Sequence, residues 1–141
     1  MSTKIELSSL SDKKNDEENY VQYMPCCVEH NGHADVDKYF TKYIREETIV
    51  NAGKEEKVLH GVFRGYPLVG KVLPTPEGYT GVVLKETRPG LNSDESRTLK
   101  ATCQFSKFIF WNWDRVPSRG DKYQQAVDWA DIADLIHDSN N

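Results

Sequence analysis

The sequence predicts a mainly β chain that closes with one C-terminal helix. Three observations carry that expectation. Four apolar runs between Val58 and Trp113 are punctuated by glycine and proline, the spacing of a compact all-β module. A run from Val36 to Ile44 alternates with period 2. Near the C-terminus the period changes: Trp129, Ile132, Ala133 and Ile136 recur at i, i+3, i+4 and i+7, one helical stripe.

Residues 1–19 are polar, charged and without period, and read as a flexible arm from which Ile5, Leu7 and Leu10 could dock. Residues 20–141 are expected to form one β-barrel domain with a helix over about 121–137. Its first hairpin would join the run from Tyr20 to Val28 with the run Val36–Ile44. Asn31-Gly32 would serve as the tight turn, since both residues tolerate positive φ. Arg45–Lys57 is charged and reads as a loop. The runs Val58–Phe63, Tyr66–Leu73, Tyr79–Leu84 and Thr98–Trp113 then read as strands. Pro74 to Gly78 is a turn between them and Arg88–Arg97 a polar loop. Asp121 would cap the helix, with Gln124 as its capping-box partner, and Asp128, Asp131, Asp134 and Asp138 occupy much of the side opposite the stripe.

The segment Phe105 to Trp113 is the most informative. Phe105, Ile109, Trp111 and Trp113 share one face of a strand, and Phe108 and Phe110 share the other. A half-exposed strand alternates apolar and polar residues, so both faces here need cover. Each aromatic ring removes about 150–250 Å² from water when buried. Either a second chain supplies part of that cover, or the helix and the N-terminal hairpin complete the core.

The sequence offers little for catalysis. Cys26-Cys27, His30 and His33 suggest zinc, but adjacent cysteines on a strand point to opposite faces. Packed thiols and surface histidines fit better. A two-metal nuclease needs carboxylates gathered on strand ends, and the strand-like runs here are nearly free of Asp and Glu. There is no G-x-S-x-G, P-loop or G-x-G-x-x-G. His60 and His137 stand apart from any such constellation.

The whole chain carries a net charge of −4, unlike a dedicated nucleic-acid binder. Residues 54–107 hold nine Lys/Arg against six Asp/Glu. An independent barrel binding single strands through Lys107, Trp111 and Trp113 is therefore the alternative reading. Three cysteines make no disulfide framework, and no apolar run is long enough to span a bilayer. With no apolar core behind the N-terminal lysines, a cytosolic or nuclear protein without membrane attachment is expected.

Taken in order, the motifs resemble a known family. Met24-Pro25-Cys26, Asn31-Gly32, Tyr39-Phe40, and Phe63-Arg64-Gly65 with Leu68 and Gly70 are similar to those of the C-type, non-catalytic subunit of eukaryotic type-2 ribonuclease H. So are Gly78-Tyr79 with Gly81 and Val83, Phe105-Ser106-Lys107-Phe108 with Trp111, Pro117, and Ala126, Trp129, Ile132-Ala133 and Ile136-His137. The likeness covers about residues 22–137. Two features depart from the pattern: Tyr66-Pro67-Leu68-Val69 replaces a more basic stretch, and the Arg88–Arg97 loop is short.

The resemblance implies a non-catalytic member of a heterotrimer, with no cofactor of its own. It implies strands contributed to an interwoven heterodimeric triple barrel with the B-type subunit. That barrel holds the A-type catalytic subunit, whose carboxylates bind magnesium. The assembled enzyme, nuclear in this family, would cut RNA in RNA–DNA hybrids and incise at ribonucleotides embedded in duplex DNA. On that basis Phe40, Phe63, Leu68, Val72, Val83, Phe105, Phe108, Phe110 and Trp111 are expected in the shared core. Arg64, the segment Pro117–Lys122 and the terminal helix are expected to face the catalytic partner.

Overall fold

The computed structural model describes residues 3–7, 21–87 and 97–138. They form eight strands: β1 (Thr3–Glu6), β2 (Val21–Tyr23), β3 (Arg45–Asn51), β4 (Lys54–Phe63), β5 (Tyr66–Pro74), β6 (Gly81–Glu86), β7 (Arg97–Phe105) and β8 (Lys107–Trp113). One helical turn, α1 (Val36–Tyr39), and a 3-10 turn (Thr41–Tyr43) precede β3, and the long helix α2 (Lys122–Asp138) follows β8. The mainly β class with a C-terminal helix is therefore observed. The described residues fall into two compact units. One holds 3–7, 21, 74–87 and 97–108; the other holds 22–73 and 109–138.

The larger unit is built on a five-stranded sheet in the order β2-β8-β5-β4-β3. The two hairpins β3–β4 and β4–β5 close through two-residue turns, fixing the pairs Asn51↔Lys54 and Phe63↔Tyr66. Both turn residues take positive φ: Ala52 (50°) with Gly53 (79°), and Arg64 (51°) with Gly65 (81°). That twist matches the twist of the flanking strands. No such pair forms at Asn31-Gly32, and the expected hairpin between 20–28 and 36–44 is absent among the described residues.

Residues 36–43 are helical turns rather than a strand. The apolar positions Val36, Phe40 and Ile44 suit either period, because steps of four satisfy both. Packing decides: a turn drops Phe40 and Ile44 together onto the sheet and leaves Tyr39 and Tyr43 exposed. Arg45–Lys57, expected as a loop, is instead the edge strand β3 and the start of β4. Its charges mislead, since charged side chains commonly blunt an edge.

The other unit holds a three-stranded sheet, β1-β7-β6. β1 lies parallel to β7, with Ile5 opposite Leu99, so residues 3–6 of the expected arm are a strand. β6 pairs antiparallel with β7 and carries an irregularity between Val83 and Leu84. Ala101 is fully buried there, and Phe105 meets Phe108 edge-on with ring centres 6.0 Å apart. Ser106 breaks the expected single run into β7 and β8, and its carbonyl accepts from the Thr75 amide at 2.8 Å. Leu10 and most of the Arg88–Arg97 loop lie outside the described residues.

Candidate partner interface

The core of the larger unit explains how the ring-rich strand is covered. Alternation puts Ile109, Trp111 and Trp113 of β8 on one face of the sheet. Trp111 is wholly buried, lying on Gly70 of β5 and beside Gly61 of β4. An added Cβ at Gly70 would stand 2.6 Å from the indole Cε3, so only glycine leaves room for the ring. Phe40 closes the same cluster, 5.5 Å from Trp111 and 6.4 Å from Phe63, edge-on to both. The indole Nε1–H donates to Gln22 Oε1 at 2.9 Å, satisfying its one polar group. On the opposite face Phe110 stacks on Tyr23 and Tyr123, with ring centres 5.3 and 6.4 Å away.

The chain thus buries Phe108, Ile109, Phe110 and Trp111 itself. Of the two ways to cover that strand, the chain's own residues bury these four positions. That burial also removes the stacking role imagined for Trp111. Trp113 is part-exposed, its Nε1–H donates to the Pro25 carbonyl at 3.0 Å, and its ring meets Tyr66 edge-on.

The interface candidates separate by exposure. Leu68, Phe108, Phe110, Trp111 and Pro117 are buried, Phe40 is at the margin, and Phe63, Val83 and Phe105 are half-buried. Val72, Arg64 and Lys122 are exposed. Further apolar side chains that sequence reasoning missed are exposed, on both faces of the sheet and on the turns before it. Val50 stands 72% exposed on the edge strand β3, and Val62, Tyr66, Tyr39 and Tyr43 are exposed as well. Val50 and Val72 share the Trp111 face by register and alternation. The arrangement is a partly open sheet face, apolar around Trp111 and charged toward its rim where Lys57 pairs with Glu46, ending at an edge strand with a neighbour on one side only. Such an edge is a template for strands of another chain.

At the other end Asp121 organises the entry to α2. It is only 6% exposed, and its carboxylate accepts from Ser118 N (2.8 Å), Asn112 Nδ2 (3.1 Å) and Arg115 Nη2 (2.7 Å). Its carbonyl accepts the first helical bond, from Gln125 N at 3.0 Å. Asp121 therefore stands at the helix start as expected, and its side chain also ties the 112–118 segment to that start.

Helix α2 packs through a side other than its apolar stripe. Tyr123, Val127 and Ala130, spaced i, i+4, i+7, are half-buried, and Tyr123 lies on Phe110. Burial pushes the Tyr123 phenol above its ordinary pKa. The apolar stripe read from the sequence faces outward: Trp129 is 70% exposed, and Ile132 and Ile136 are exposed too. From Asp131 onward every helical residue is exposed.

Charged pairs line the face opposite Trp111. Lys71 Nζ donates to Glu56 Oε2 at 2.8 Å, and the ammonium holds the Glu56 carboxyl below its usual range. His60 Nε2 lies 2.6 Å from Glu47 Oε2. In the smaller unit Arg97 forks onto Glu86, lowering the carboxyl and raising the guanidinium. Around the suspected zinc motif, His30 Nε2 lies 3.1 Å from the His33 carbonyl. No group of three or more metal-ligating side chains gathers among the described residues. No described helix is long and apolar enough to cross a membrane.

An open sheet edge, exposed apolar side chains and an exposed apolar stripe on α2 are features that suit a chain to a larger assembly. Comparison with known proteins agrees. Residues 20–136 match the family described as Ribonuclease H2 non-catalytic subunit (Ylr154p-like). The chain is 27% identical over 137 residues to the C subunit of ribonuclease H2 from Mus musculus, covering 81% of this chain and 78% of that protein. It is 27% identical over 136 residues to the corresponding C subunit from Bos taurus, with the same coverage. The chain belongs to this family of non-catalytic ribonuclease H2 subunits, and so is not itself the catalytic member.

Proposed function

We propose that this chain is a scaffold that supplies strands to a barrel shared with the B-type subunit. That heterodimer in turn holds the magnesium-dependent, A-type catalytic subunit. The assembled nuclear enzyme acts on RNA in RNA–DNA hybrids and at ribonucleotides within duplex DNA. The observation that carries this reading is the edge strand β3 beside the exposed Val50 and Val72, in a family of non-catalytic subunits. Strand addition along β3 would complete the sheet, and apolar side chains on the Trp111 face would enter the common core. Rigid support of this kind affects rate because small misplacements at an active site are costly.

The test is co-expression of the full chain with its tagged A-type and B-type partners. A stoichiometric three-chain complex is expected. Val72→Glu combined with Val50→Lys should cost the B-type partner its place in that complex while leaving this chain folded by circular dichroism. Wild-type chain that purifies as a compact monomer and ignores both partners refutes the proposal.

A further inference from the structure

One face of the three-stranded sheet carries charge in an arrangement that folding alone does not favour. β6 and β7 run antiparallel with Lys85 paired to Lys100. Opposite residues of such a pair share a face, with Cβ atoms roughly 5 Å apart, and like charges so placed are destabilising. Both lysines are exposed. On the third strand Glu6 is in register with Lys100 and Lys4 with Thr98. The Glu6 carboxylate, however, lies 3.4 Å from the Lys4 ammonium. Neither Lys85 nor Lys100 has an ion-pair partner among the described residues.

Lysine on an edge strand commonly keeps other strands away, and that accounts for Lys85. It does not account for Lys100, because β7 is the central strand of the three. The other side of these strands carries Ile5, Leu84, Leu99 and Ala101, so packing is served there. Charge is also unevenly shared along the chain. Described residues of the smaller unit hold five Lys/Arg against three Glu, and those of the larger unit ten against thirteen Asp/Glu.

We infer that Lys85 and Lys100 form a phosphate contact through which this non-catalytic chain holds the backbone of the nucleic-acid duplex that the assembly acts on. The inference rests on the scaffold reading above and deepens it. Two ammoniums at that separation can donate together to the oxygens of one phosphodiester group, or straddle neighbouring ones. A phosphate placed between them also offsets the repulsion that the free chain carries. Contacts of this kind fix where a duplex lies without reading its sequence. The chain as a whole is anionic, at −4, so the pair works within the assembly and binds weakly by itself.

The test uses the reconstituted three-chain complex and a fluorescent RNA–DNA hybrid, with chelator present so that binding is read without cleavage. Lys85→Gln with Lys100→Gln should weaken binding roughly threefold to tenfold at fixed salt, equally for hybrids of different sequence. The slope of log affinity against log salt should become shallower by about two. Because the substitution relieves repulsion, the variant chain should be at least as stable in urea as wild type. Lys85→Arg with Lys100→Arg should keep both affinity and slope. Lys38→Gln with Lys42→Gln removes the same charge from the exposed turns before β3 and should change neither. An unchanged slope in the Lys85/Lys100 glutamine variant overturns the inference, as does an equal loss in the Lys38/Lys42 control. Loss of either partner chain from the glutamine variant assigns the pair to a protein contact and overturns it as well. Saturable binding of inorganic phosphate that the same variant abolishes assigns it to a small anion, with the same consequence. If the wild-type chain joins neither partner, the scaffold reading fails and takes this inference with it; if the complex assembles and the variant binds hybrid as wild type does, this inference fails alone.

Discussion

Two glycines approach Trp111 from neighbouring strands, and the structure predicts that they respond oppositely to the same substitution. A Cβ at Gly70 would meet indole carbons at 2.6, 2.8 and 3.0 Å. Trp111 is wholly buried and pinned by its bond to Gln22, so the ring cannot swing aside. Overpacking a fixed core costs roughly 1–3 kcal/mol. The lost chain entropy of glycine returns about 0.4–1 kcal/mol. Gly70→Ala should therefore destabilise by roughly 1–2 kcal/mol, a fall in Tm of roughly 3–7 °C for a chain of this length. At Gly61 the contacts are 3.3 Å to Phe40 and Trp111 ring carbons, within reach of small adjustments. Gly61→Ala should be neutral or stabilising by up to about 1 kcal/mol. Urea unfolding of the full chain, followed by tryptophan fluorescence, measures both. Equal losses, or a larger loss at Gly61, would refute the placement of the indole over β5.

Further outcomes follow from named contacts. Asp121→Ala leaves the Ser118 amide and the Asn112 side chain without their acceptor at a buried position, and should cost roughly 1–3 kcal/mol in thermal unfolding. Arg115→Ala should cost under about 1 kcal/mol, because that side chain is exposed. Ala52→Asn, placed at a φ of 50° in the β3–β4 turn, should stabilise by about 0.5–1 kcal/mol, read as a shift in urea midpoint. The folded-state pKa of Glu56 lies below its ordinary 4.5. Its pairing with Lys71 therefore contributes fully above that ordinary value and is lost as pH falls through the lowered one. Glu56→Gln should destabilise the chain near neutral pH, and the gap from wild type should close in acid; a pH-independent gap would count against the pair.

Much of the fold is legible in the sequence because apolar period and turn chemistry agree. The strand positions of Val58–Phe63 and Tyr66–Leu73 and the helix over 122–138 follow directly from period and punctuation. Val36 to Ile44 misleads because its apolar positions fit a strand and a helical turn equally, and only the Trp111 ring beneath Phe40 breaks the tie. Arg45–Lys57 resembles a loop because an edge strand is allowed to be charged. The double-sided aromatic strand looks incomplete because sequence does not show that Tyr23 and Tyr123 lie across Phe110. The apolar stripe of α2 is visible as a stripe, but period alone cannot say which way it points. Val127 and Ala130 beside it give the helix a second weakly apolar side, and that side faces the sheet.

The parallel pairing of β1 with β7 has a consequence for how the molecule is made. Thr3–Glu6 leaves the ribosome before the other described strands, yet its hydrogen-bonding partner Arg97–Phe105 is synthesised more than ninety residues later. That strand therefore waits for those residues before it can be seated, and pairing at that sequence distance is slow. A fusion placed ahead of Thr3 burdens the last step of sheet assembly, whereas one placed after α2 leaves it untouched.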